Sequence, residues 1–123
     1  MSANTARAHL LSILAPQLPA AWKLIDTARI PQTLERVSVI VNHAEINPTP
    51  EARRSTLSNT FEVYVVSPLQ DKERADLELD DAVLTVLTAV SDHPEIRFDK
   101  ARKVDVAEYI GWQINLTTLT AKE

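Results

Sequence analysis

The stretch Thr56–Val90, TLSNTFEVYVVSPLQDKERADLELDDAVLTVLTAV, decides how the rest of the chain is read. Its first part alternates: Leu57, Asn59, Phe61, Val63 and Val65 share one face of a strand, with Tyr64 and Val66 on the other. After Ser67-Pro68 the period changes. Across Asp71–Ser91 a helical count puts Ala75, Leu79, Ala82, Val83, Val86, Leu87 and Val90 on one side. A strand therefore hands over directly to the helix expected to cover it. That helix opens with six acids against two bases in DKERADLELDD, which suits the positive end of the helix dipole. Leu77 and Leu84, one heptad apart, point the opposite way, so either the first helix or another subunit must cover them.

Upstream, RVSVIVNHAEI from Arg36 to Ile46 alternates Val37, Val39 and Val41 against Ser38, Ile40 and Asn42, and reads as a strand. Asn47–Pro50, NPTP, reads as a loop because proline lacks the donor that a central ladder needs. A short strand is expected over Ala21–Asp26, with Trp22 and Leu24 on one side and Lys23 and Ile25 on the other. Arg29, Ile30 and Pro31 after it read as loop. A first helix, Thr5–Ala15, would be capped by Asn4, bury Ala6, Leu10, Ile13 and Leu14, and end at Pro16 and Pro19.

Downstream, Ser91–Pro94 stops the long helix. Ile96–Ala107 is then expected as a strand with Ile96, Phe98, Val104 and Val106 in one phase. Glu108–Gly111 turns the chain, and Gly111–Thr120 points Trp112, Ile114 and Leu116 inward against Gln113, Asn115 and Thr117. The fold class is α/β of the α+β type, a single domain over 1–123 in the order α-β-β-β-α-β-β. It has a mostly antiparallel sheet of about five strands with two helices packed on one face. Its length of 123 residues allows a real core without staples. The middle strands are apolar on both faces at Ile40, Tyr64 and Val66, so loops or a second subunit must cover the side away from the helices.

Length bears on the strand that opens the argument. Begun at Arg53, it spans roughly 45 Å at about 3.3 Å per residue, against a diameter of roughly 35 Å for a globule of this size. Its polar first half, RRSTLSN, would then be an arm reaching a partner. Begun at Thr56, the strand fits within its domain and the preceding residues form an ordinary loop.

Composition removes several function classes. With no cysteine there is no disulfide, thiolate zinc site or cysteine nucleophile, and with one glycine, Gly111, no glycine-rich phosphate loop can be built. A net charge of -4 argues against a surface that holds nucleic acid tightly. The apolar run near the N-terminus is too short and broken for a signal peptide or membrane span, so a soluble, cytosolically made protein is expected. His9, His43 and His93 have no metal-ligand spacing, although His43 and Glu45, two apart on one strand, could offer a ligand pair. Ser91-Asp92-His93 has the letters of a hydrolytic triad but sits at a helix end. The carboxylates of Asp76–Asp81 read as a solvated helix start. No catalytic, cofactor or metal site is expected.

The element order resembles that of the tail terminator, or tail-completion, proteins of long-tailed, siphovirus-type bacteriophages, over nearly all of the chain. The likeness is carried by LPAAWKLIDTARIP, VSVIVNHAEINPTP, FEVYVVSP, the long helix ending near His93-Pro94, and EYIGWQINLTTLT. The resemblance implies a structural virion protein that closes into a homo-oligomeric ring, typically a hexamer. Such a ring caps the tail tube protein, stops its polymerisation and meets the head-tail connector protein at the head-proximal end of the tail. DNA would pass through the lumen, which an acidic chain suits. The resemblance also sets Asn47–Asn59 against the family's extended loop or hairpin, and Gly111 with Trp112 at the start of its last strand. Candidate interface residues are therefore Asn47, Pro48, Glu51, Arg53, Arg54, Leu57 and Asn59, joined by Leu77 and Leu84 from the helix pattern. The alternative is a small α+β binding or regulatory domain that dimerises through Ile40, Tyr64 and Val66 on its sheet face.

Overall fold

The alternating half of Thr56–Val90 becomes a strand with a neighbour on each side. The computed structural model describes residues 6–25, 34–48, 56–69 and 71–121. In chain order these form α1 (Ala6–Leu14), β1 (Lys23–Ile25), β2 (Ser38–Pro48), β3 (Thr56–Val66), α2 (Lys72–Ser91), β4 (Ile96–Val106) and β5 (Tyr109–Ala121). One sheet has the strand order β1-β2-β3-β5-β4, with β1 parallel to β2 and every other pair antiparallel. Fold class and element order are as the sequence predicts.

Helices α1 and α2 contribute Leu10, Leu14, Leu79, Val86 and Val90 to a core shared with Val39, Val41, Phe61, Val63, Val65, Ile114 and Leu116 of the sheet. Each such side chain, fully buried, contributes about 1.5–3 kcal/mol of transfer free energy. The inward face of α2 matches its periodicity, except that Ala89 is buried where Leu87 is only half-buried. Asp71 caps this helix: its Oδ1 accepts from the backbone N–H groups of Glu73 (3.1 Å) and Arg74 (3.4 Å). Buried Ser67 donates to Glu78 at 2.5 Å and so ties the end of β3 to the helix above it.

The opposite sheet face is covered by the chain itself. Leu34, Ile40, Val66, Val106 and Tyr109 form a second cluster, and the Tyr109 hydroxyl accepts from the Leu34 N–H at 3.1 Å. The segment before β2 and the β4–β5 hairpin supply the cover that two helices on one face could not.

Several expectations are corrected. Asn47 and Pro48 are not loop: they extend β2, opposite Ser58 and Leu57 of β3. Proline is tolerated there because β1 pairs only with Ser38–Ile40, leaving this end of β2 a ladder on one side. The described part of the supposed arm is likewise no lone segment, since Leu57–Asn59 pair with both β2 and β5, and Thr56 pairs with β5. Two ladders satisfy its backbone groups, so a polar sequence suffices. The hairpin turn is Ala107-Glu108, joining Val106 to Tyr109 with Ala107 at φ 56°, and Gly111 lies inside β5. Asn4, Arg29–Pro31, Glu51, Arg53 and Arg54 lie outside the described residues.

Two β-bulges change which face later residues occupy. In β2, His43 pairs with Phe61 and Glu45 with Thr60, so one extra residue moves Ile46 to the helix side. In β4, Phe98 pairs with Leu116 and Lys100 with Asn115. Ile96 and Phe98 therefore face the helices while Val104 and Val106 face away, against the single phase expected for all four.

Candidate interface surfaces

The far end of the sheet is built from three strands: Glu45–Pro48 of β2, Thr56–Thr60 of β3 and Thr117–Ala121 of β5. On its helix side Ile46 is 57% exposed. It has this position only because of the bulge, and plain alternation would have set it with Ile40. Of the candidates in this region, Asn47 is exposed and Leu57 half-buried. Asn59 is only 3% exposed, so its side chain is not presented to a partner. Its Nδ2 donates to the Thr118 carbonyl at 3.4 Å and its Oδ1 lies 3.1 Å from His43 Nε2, which assigns the proton to that nitrogen. His43 also stacks on Phe61, and burial pushes its pKa below the ordinary value despite the hydrogen bond it donates to Asn59.

The outer face of α2 is the second surface. Leu77 is 66% and Leu84 59% exposed, so α1, which packs into the main core, leaves both uncovered. Beside Leu84 runs a shallow depression of about 290 Å³ lined by Gln17, Thr85, Thr88 and Ala89. Exposed Glu73, Asp80 and Asp81 lie on the same helix. Asp76 instead holds Lys103 of β4, whose ammonium lies 5.6 Å from the centre of the Trp112 ring.

The sheet face away from the helices is a lattice of paired polar groups beyond the second cluster. Glu62 Oε1 accepts from Asn42 Nδ2 (3.2 Å) and from the Tyr64 hydroxyl (3.0 Å). Burial, and then this carboxylate, push the Tyr64 phenol up. Arg102 donates to Gln113, which donates in turn to Asn115. Asp99, at the β4 bulge, accepts from Arg97 Nε (2.7 Å) and the Thr117 hydroxyl (2.6 Å). These residues occupy one another.

The chemical candidates separate in space. His43 and Glu45 fall on opposite faces, because their partners Phe61 and Thr60 are consecutive in β3. The Ser91 hydroxyl donates to the Thr88 carbonyl, while His93 faces Glu95 at 3.5 Å. What sequence reasoning missed is the meeting of His9 and His93 at Glu95, with His9 Nε2 2.9 Å from the carboxylate. A backbone hydrogen bond at Glu95, and then the His9 side chain, hold this exposed carboxyl below its usual range. His9 lies 86 positions from Glu95, and no spacing rule could have brought it to the His93–Glu95 pair. Among the described residues no group of three acidic or imidazole side chains is arranged to hold a metal ion, and no helix is long and apolar enough to cross a membrane. No protein-family model matches the chain, and no curated protein matches it.

Proposed function

We propose that the chain is a structural, ring-forming protein of the tail terminator kind, acting without catalysis or cofactor at the head-proximal end of a phage tail. The observation that carries the reading is the separation of its exposed apolar groups. Leu77 and Leu84 stand on the outer face of α2, whereas Ile46 stands on β2 and Phe98 on β4, at opposite sides of the sheet. Unlike patches on one domain favour head-to-tail contacts, which close into a ring when the rotation allows. The ring, six-fold by resemblance, would cap tube protein and offer its other surface to a head-tail connector. It would pass DNA without binding it tightly.

Asn47, Pro48, Leu57, Leu77 and Leu84 remain in this reading as contact residues, with Glu51, Arg53 and Arg54 in the β2–β3 connection. Ile46 joins them. A sheet-face dimer has less support, because Ile40 and Val66 are buried within the chain and only Tyr64 of the three is half-exposed. The test is to add the protein to polymerising tube protein and view the products by electron microscopy. Tubes of limited length with a ring at one end are expected. Uncontrolled length with bare ends overturns the reading.

A further inference from the structure

Among the described residues the sheet has two open edges. β4 pairs only with β5, and β2 beyond Ile40 pairs only with β3. From β2 to β4 there are three antiparallel steps, so the two edges run in opposite directions. Copies laid side by side in one orientation would therefore present an antiparallel pair, the arrangement in which inter-strand hydrogen bonds form readily.

The edges also differ in charge at the same level. Glu45 of β2 lies in one row with Thr60, Thr117 and Arg97, and Asn42 lies in the next with Glu62, Asn115 and Lys100. Thus β4 carries Lys100 on the polar face, flanked by Arg97, which is paired with Asp99, and by Arg102, where the β2 side carries Glu45 and, one strand in, Glu62. On the helix face each edge adds an exposed apolar side chain, Ile46 at 57% and Phe98 at 46%. Charges and bulges on an edge strand ordinarily keep it single. Opposite charges on two complementary edges do more, since they repel like edges and admit the unlike one.

We infer that the β4 edge around Arg97–Arg102 binds the Asn42–Pro48 edge of β2 in a second copy of this chain, head to tail. β1 occupies the other end of β2, which confines the contact to that half of the edge. The inference rests on the ring reading and names its subunit contact.

The test uses the full chain in a concentration series, read by native mass spectrometry and zero-length carbodiimide cross-linking. Within one chain Glu45 and Lys100 are separated by three strand spacings, roughly 14 Å, beyond the reach of such a link. A Glu45–Lys100 link found in the oligomers alone is the expected result. Lys100→Glu should weaken association about three- to tenfold, and Glu45→Lys added to it should restore most of the loss. Both side chains are exposed, and circular dichroism verifies that each variant folds. A chain that stays monomeric at about 1 mM, or oligomers indifferent to the swap, would overturn the contact. If such a chain still caps tubes, the contact alone has failed. If it associates through these edges but leaves tubes uncapped, the terminator reading has failed.

Discussion

The imidazole of His43 stacks on the ring of Phe61, with centroids 4.4 Å apart and planes at 22°. This contact sits on the helix side of the sheet, at the level where β2 bulges, and it joins a titratable group to the core. His43 is accordingly held below its ordinary pKa of 6.5, with burial the largest cause. Below 6.5 the unfolded chain takes up this proton more readily than the folded one, so the contribution of His43 to stability is present above that value and lost as pH falls. In urea titrations between pH 7 and about 5, the unfolding free energy should drop for the wild type and drop less for His43→Gln. Equal slopes for the two proteins would remove His43 from the account.

Gly111 marks a close approach between strands. A Cβ there would stand 2.8 Å from the Val65 carbonyl oxygen and 3.2 Å from Val66 Cγ2. Gly111→Ala should therefore destabilise the protein by about 1–3 kcal/mol, visible as a lower urea midpoint at unchanged slope.

The opposite change should help one turn away. Ala107 holds φ 56° in the two-residue hairpin loop, a region that costs an L-residue about 1–2 kcal/mol. Glycine adopts it freely but loses more entropy on folding. Ala107→Gly should give a net gain of about 0.5 kcal/mol, measured by thermal unfolding.

Two leucines of α2 five positions apart should respond in opposite ways. Leu79 is fully buried, and Leu79→Ala should cost about 2–5 kcal/mol of stability. Leu84 is 59% exposed, and Leu84→Ser should change stability by less than about 0.5 kcal/mol. If Leu84 is a subunit contact, the same substitution should abolish ring formation at tube ends. A capped tube with Leu84→Ser removes it from the interface.

The helix start supplies an independent check. Asp71 Oδ1 accepts from two backbone N–H groups that no intrahelical partner satisfies. Asp71→Ala should cost about 1 kcal/mol by chemical denaturation, and Asp71→Ser much less.

The amino-acid sequence by itself determined the element order, the end of β3 at Val66, the start of β4 at Ile96, and the inward face of α2, while it left the start of β3 open between Arg53 and Thr56. Each of these follows from a residue's own polarity repeating at a strand or helix period, which is a local property. Leu77 and Leu84 could be found for the same reason. The tertiary structure decided which face His43, Glu45, Ile46, Phe98 and Val104 occupy, because a bulge is a mismatch between two strands and leaves no mark in either alone. It also decided that Asn59 is buried rather than offered to a partner, and that Leu34 and Tyr109 close over Ile40 and Val66. Those outcomes depend on which distant segments meet, and pairing across the sheet, not pattern along the chain, sets them.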